Sequence, residues 1–265
     1  MRQNPSKEVK RISFSELKNW KECPYRHKLI YVDKIPHFEG NEYTAFGTAI
    51  HSVCENLIPD QKLEGIKIFT DAFDKELCLL EQQGKTLNHQ LIDDMRVQAQ
   101  PICKQVLPAV KDHFGNFKIV SVEEELLEPI REFDSYGTNF KGFIDMVIKT
   151  DDGKYHIIDW KTCSWGWTRD KKSDPMTTYQ LTYYKNYFSK KHEIDAKNIE
   201  TYFVLLKRTA KKDNVEILRV TSGPKKVENS LKVLENAVIN IEKGTKIKNR
   251  LNCKYCKFYK TENCL

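Results

Sequence analysis

Across its 265 residues the chain has no apolar run long enough to span a bilayer. Its opening, MRQNPSKEVKRIS, has none of the apolar core of a secretory signal. Membrane and secretory roles are set aside on those grounds, and a reducing cytoplasm is the expected compartment. Disulfides are not expected there. No GxxxxGK(S/T) phosphate loop occurs, which excludes the familiar route to ATP-driven unwinding of nucleic acid. No internal repeat, low-complexity tract or linker divides the chain, so residues 1–265 read as a single domain.

What is there is enough to build a core. Hydrophobic residues make up 40% and aromatic residues 11%, composition that supports a packed interior at this length. The net charge of +7 suits a polyanionic partner without establishing one. Residues 1–11 are polar and are expected to fray. Ser13 and Glu16 have capping-box spacing and open a helix running to about Tyr31, with a break near Cys23-Pro24. Residues 44–58 are helical by period, with Phe46, Ile50, Val53 and Leu57 on the apolar face and Gly47 at a point of close backbone approach. Residues 63–83 and 88–114 read as two more helices, the second kinked or broken at Pro101. A strand over 117–127, a hairpin over 138–162, a helix over 177–192, strands over 199–207 and 214–221, and a helix over 223–244 complete the pattern. The order predicts an α/β fold with a central mixed sheet flanked by helices. Residues 60–115 form a helical insertion in that scheme.

The stretch that organises the rest is 142–162, GFIDMVIKTDDGKYHIIDWKT. Asp-Gly between two β-rich runs is a hairpin signal. Pairing of the two runs brings Asp145 and Asp159 onto adjacent strands, with Lys161 two residues beyond. Two carboxylates can hold a hard divalent cation. Cation and ammonium together can stabilise charge on a phosphate. His51 comes from the 44–58 helix with Glu55 four residues on, and Gln180 and Tyr184 share a face of the 177–192 helix. Glu55 is a candidate supporting residue, whereas Glu123, Glu124 and Glu125 read as strand-edge surface charges.

These pieces carry a resemblance. FGTAIH, GFID, IIDWKT and YQLTYY, in that order, together with the opening SxLxxWxxCPYRHKLIYV, resemble the RecB-like branch of the PD-(D/E)XK nuclease superfamily, from about Ser13 to Cys264. The resemblance implies a restriction-endonuclease-like fold and a role for each matched residue. His51, Asp145, Asp159 and the Trp160 carbonyl would ligate one or two Mg²⁺ or Mn²⁺ ions. Lys161 would orient the attacking water and offset phosphate charge. Gln180 and Tyr184 would position the loop and the DNA backbone. Oxygen-rich ligation suits these ions, and one imidazole leans the site towards Mn²⁺.

Of the eight cysteines, all but Cys163 fall into two groups. Cys54, Cys78 and Cys103 lie in helical patterns and read as small core residues. Cys253, Cys256 and Cys264 form a ligand pattern one thiolate short of a full set. Cys23 resembles the missing fourth. In the stand-alone iron–sulfur exonucleases of the CRISPR-associated/AddB type, which this chain resembles, such a set holds a [4Fe–4S] cluster that staples segments 12–35 and 245–265 together. Zn²⁺ uses the same ligands and remains the alternative.

For nucleic-acid contact, Trp165, Trp167 and Arg169 in the loop after Lys161 are candidates for stacking and phosphate binding. Lys207 and Arg208, with Lys211 and Lys212, form a basic hairpin tip, and the lysines at 225–226 and 243–250 add charge. Nothing here reads base sequence, so backbone-driven, salt-sensitive binding is expected. The resulting expectation is a Mg²⁺- or Mn²⁺-dependent DNA exonuclease acting on single-stranded or unwound ends in bacterial or phage recombination or repair, alone or beside a helicase. A structure-specific endonuclease and a non-catalytic nucleic-acid-binding module with a metal-stapled tail are the alternatives.

Overall fold

The structure is a computed structural model and describes residues 9–37 and 39–265. In chain order it contains β1 (Arg11–Ser13), α1 (Phe14–Glu22), α2 (Pro24–His27), a π-helical turn over Lys28–Val32, α3 (Glu42–Leu57), α4 (Gly65–Gln82), α5 (His89–Phe114), β2 (Phe117–Pro129), β3 (Asn139–Thr150) and β4 (Tyr155–Cys163). These are followed by α6 (Arg169–Ser173), α7 (Pro175–Lys191), β5 (Ile199–Lys207), β6 (Val215–Val220), α8 (Pro224–Glu242) and a 3₁₀ turn over Arg250–Tyr255. The stretch expected to fray at 1–11 lies outside the described residues over 1–8, and Arg11 is strand rather than frayed chain. Three residues show no period that a sequence can reveal. They become a strand because they add to the edge of β3.

The sheet has six strands in the order β1-β3-β4-β5-β6, with β2 also on β3. The Asp-Gly hairpin forms as expected, with Gly153 at φ 83 and Thr150 N donating to the Lys154 carbonyl at 3.0 Å. After α7 the chain returns in β5, parallel to β4, as a crossover connection.

The edges of β3 set up everything that follows. One edge is taken along its length by β2, from Phe117 opposite Thr150 to Pro129 opposite Asn139. The other edge is shared. β1 holds residues 139–141 in parallel, and β4 holds residues 146–149 antiparallel. Residues 142–145 pair with neither, so the sheet forks there. At the same point the period of two breaks. Phe140 and Ile144 pack in one core, whereas Met146 and Ile148 pack in the other. The β2 partner of Asp145 is also irregular: Glu123, opposite it, has φ 50, a left-handed conformation that costs energy for a residue other than glycine.

Two cores cover the two faces. On one, α3, α4 and α5 pack against Met146, Ile148, Ile158, Trp160, Val204 and Leu206. On the other, α7, α8 and Leu17 of α1 pack against Phe140, Ile144, Val147, Ile157, Phe203 and Leu205. Burial on both faces explains why β5 reads as the unbroken apolar run YFVLL rather than alternating. α5 runs as one helix through Pro101 and Pro108, so of the kink or break expected at Pro101 the break does not occur. Proline inside a helix costs about 3 kcal/mol. α5 buries Ile92, Met95, Ile102, Val106 and Val110, each worth about 1.5–3 kcal/mol, and the tertiary term wins. Cys54 and Cys103 are buried as expected, but Cys78 is exposed. It sits beside the buried α4 stripe of Phe69, Phe73, Leu77 and Leu80 instead of on it.

Two side chains give direct tests. A Cβ added to Gly142 would stand 2.7 Å from Cε1 of the buried Tyr184 ring, so Gly142→Ala must displace that ring. It is expected to cost about 1–3 kcal/mol in denaturant unfolding. At the far end of the sheet His156 is buried against Phe114 and Tyr202, and burial holds its pKa below 6.5. Below that pH the unfolded chain takes up a proton that the folded chain resists, so stability falls on acidification. The drop in denaturant midpoint between about pH 7.5 and about pH 5.5 is expected to be smaller in His156→Gln than in wild type.

Candidate active site

The fork opens into a cleft of about 500 Å³ lined by Asp145, Asp159, Lys161, Gln180 and Tyr184, and by β1 and the start of α1. Asp145 lies at the fork point of β3. In place of a ladder partner on β4, its Oδ2 accepts the backbone N–H of Trp160 at 2.7 Å. That hydrogen bond spans the gap where β3 and β4 part.

Asp159 is almost fully buried. Gln180 Nε2 donates to its Oδ1 at 2.9 Å, and the same nitrogen lies 3.1 Å from the Tyr184 hydroxyl. The Lys161 ammonium stands 2.5 Å from Asp159 Oδ2, an oxygen that receives no hydrogen bond of good geometry. Burial pushes the Asp145 carboxyl well above the usual carboxylate range, and the charge of Asp159 pushes the same way. Lys161 and the Trp160 N–H oppose both. Burial also raises the Tyr184 phenol and keeps it protonated.

His51 reaches this group from α3. Its Nδ1 is 3.7 Å from Asp145 Oδ2 and 4.0 Å from Glu55 Oε1. Burial lowers the His51 pKa, while Asp159 and a hydrogen bond with the Trp160 backbone act against it. The result is an imidazole held neutral, the form that ligates metals. The Trp160 indole is buried in the core, which leaves its backbone to face the site.

One contributor escaped the sequence reading. Glu123, exposed as a surface charge should be, stands opposite Asp145 and meets Glu55. Burial and this like-charged neighbour raise the Glu55 carboxyl to about 7. No spacing in the sequence carries this contact, because Glu123 stays exposed and meets Glu55 only in the folded chain.

A divalent cation fits these residues. A buried Asp159 oxygen that receives no hydrogen bond of good geometry and a carboxyl on Asp145 penalised by its neighbour's charge are what such an ion would relieve. Among the described residues, no group of three or more His, Cys, Asp or Glu side chains stands in an arrangement that holds a metal. The positive charge at Asp159 here comes from Lys161.

The outlying candidates are placed as follows. Trp165 is 77% exposed beside the cleft strands. Trp167 is half-buried on Phe203 with Lys171 over its ring, and Arg169 is exposed at the start of α6. Lys207 is 3.5 Å from Glu216. Arg208 bonds Gln98 at 2.5 Å and stacks on Tyr43. Both have partners within the molecule.

The four terminal cysteines line one cavity of about 290 Å³. The segments that carry them are clipped together by Tyr25 N to the Ile247 carbonyl at 3.1 Å and by Asn249 and Asn252 to the Glu22 carbonyl at 2.9 and 2.7 Å. Backbone N–H groups of Arg26 and Asn249 point at Cys23 Sγ at 3.5 and 3.4 Å.

Among solved structures, the chain is similar to one from Eubacterium rectale described as a "putative exonuclease". The two are 12% identical over 98% of this chain and 95% of the other, with a TM-score of 0.61, which shows a shared fold. SSO0001 is 16% identical over 92% of each chain, and its TM-score of 0.37 carries no argument. No curated protein sequence matches this chain. The sequence pattern of the PD-(D/E)XK nuclease superfamily matches residues 11–261, nearly the whole chain and every residue of the fork, and the chain belongs to that superfamily.

Proposed function

We propose that this protein is a Mg²⁺- or Mn²⁺-dependent DNA nuclease of the RecB-like branch, an exonuclease on single-stranded or unwound ends. The observation that carries the reading is the convergence of Asp145, Asp159 and Lys161 at the fork of the sheet, with Gln180 bonded to Asp159. His51, Asp145, Asp159 and the Trp160 carbonyl would hold the ion. Bound there, Mg²⁺ or Mn²⁺ supplies a water of lowered pKa and neutralises charge on the phosphate. Lys161 sits at the mouth of this group, where its ammonium orients water and meets the developing negative charge. Gln180 fixes the rotamer of Asp159, and Tyr184 acts as a neutral hydrogen-bond donor.

The preference for ends, the DNA substrate, the recombination or repair role and a helicase partner follow from the RecB-like resemblance. The description of the E. rectale structure agrees with the exonuclease part.

The terminal cysteines belong to the same proposal as a structural [4Fe–4S] site, with Zn²⁺ as the alternative. Four thiols around one cavity, bridged segments and N–H groups aimed at sulfur support it. Zinc bonds of about 2.3 Å would draw the sulfurs close together, whereas a cluster fills more of the 290 Å³ space.

End-labelled linear single-stranded DNA is expected to lose label with Mn²⁺ and not with EDTA. Asp145→Ala and Lys161→Ala are each expected to lower that rate by about a thousandfold, about 4 kcal/mol. Cleavage of covalently closed circles would instead indicate an endonuclease, and unaltered rates in both variants would move the chemistry elsewhere. Cys256→Ser is expected to remove about 2 kcal/mol of stability, or about 4–8 °C of melting temperature. An unchanged melting temperature would refute the staple.

A further inference from the structure

The cleft is larger than the group that would handle a phosphate. Beyond Asp145 it continues along the unpaired stretch of β3 to Arg11 and Ser13 of β1, the N-terminal turn of α1, Lys141 and Phe143. Four features of this second lobe stand out. Phe143 lies two residues from Asp145 on the same strand and is 43% exposed. Its neighbours Ile144 and Phe140 are fully buried, so an aromatic ring open to solvent at this point is unpaired surface beside the chemistry. The Lys141 ammonium stands 5.1 Å from the centre of that ring and 3.3 Å from Glu125 at the sheet surface. The exposed Arg11 side chain makes no ion pair or hydrogen bond among the described residues, whereas Lys10 beside it is 2.9 Å from Glu242. The N-terminus of α1, capped by Ser13, adds its partial positive charge to the same wall.

We propose that Phe143, Arg11 and Lys141 form a subsite for the nucleotide next to the scissile phosphate, the base stacking on Phe143 and the phosphate held between Arg11 and Lys141. The inference rests on the nuclease reading and deepens it. An aromatic face flanked by cations is the chemistry that grips an unpaired strand regardless of sequence, because every base presents a stacking face. The cleft volume of about 500 Å³ is that of a pocket for a small molecule, room for a mono- or dinucleotide. A base can reach Phe143 only when it is not stacked in a helix. The subsite therefore selects an unpaired strand, with Phe143 as a specificity-determining residue and Arg11 and Lys141 as positioning residues.

The test is anisotropy of a fluorescein-labelled single-stranded oligothymidylate on the full-length protein in EDTA, where no cleavage competes. Phe143→Ala is expected to weaken binding about tenfold with an unchanged melting temperature, and Phe143→Tyr to restore it. Replacing the bases by abasic sites is expected to abolish the difference between wild type and Phe143→Ala, a readout that a merely structural role would not move. Arg11→Gln is expected to reduce the salt slope by about one ion. Wild-type and Phe143→Ala proteins that bind the strand equally, or a loss that persists on the abasic strand, overturn the subsite alone. A folded wild-type protein that binds no single strand overturns the subsite, while the nuclease reading stands or falls separately on metal-dependent loss of label.

Discussion

Two carboxylates held side by side under an apolar sheet are the constraint on which this molecule turns. Asp145 and Asp159 are both buried, and buried like charges are tolerated only when something nearby compensates them. Each compensating group comes from a different part of the chain. The Trp160 N–H comes from the parted strand, the ammonium of Lys161 from two residues on, the amide of Gln180 from α7 and the imidazole of His51 from α3. Removing β4, α7 or α3 would leave one carboxylate without a partner. The site and the architecture are thus one problem with one solution.

The fork in β3 makes that solution possible. A fully paired strand has its polar backbone groups in ladders and its side chains in packed faces, with no room for a substrate. By sharing one edge between β1 and β4 and leaving 142–145 to neither, the sheet opens a cleft at its own centre. The left-handed Glu123 on the facing strand, opposite Asp145, is a local cost.

Much of this was legible in the sequence, and the parts that were not share a cause. Asp-Gly between β-rich runs gave the hairpin, and the period of three to four gave α3, α7 and α8, because those signals are local. The joint order of His51, Asp145, Asp159, Lys161, Gln180 and Tyr184 pointed to one site, and the fold brings all six together. β1 was invisible because three residues gain strand character only from β3. The continuity of α5 was misread because proline cost is local and core burial is not. Glu123 is exposed, as a strand-edge charge should be, and its meeting with Glu55 joins a strand and a helix far apart in the sequence. Lys207 and Arg208 looked like a basic tip, and the acceptors that occupy them, Glu216 and Gln98, come from elsewhere in the sequence.

The central claim is that the fork brings Asp145 and Asp159 together as a cation site. Titration of Mn²⁺ into the purified protein, followed by the loss of the free-ion electron paramagnetic resonance signal, tests it without reference to any substrate. The account predicts saturable binding to the wild-type chain that is lost in both Asp145→Asn and Asp159→Asn, with both variants still folded. Binding of equal strength in wild type and in either variant, or no binding to the folded wild-type chain, would contradict it.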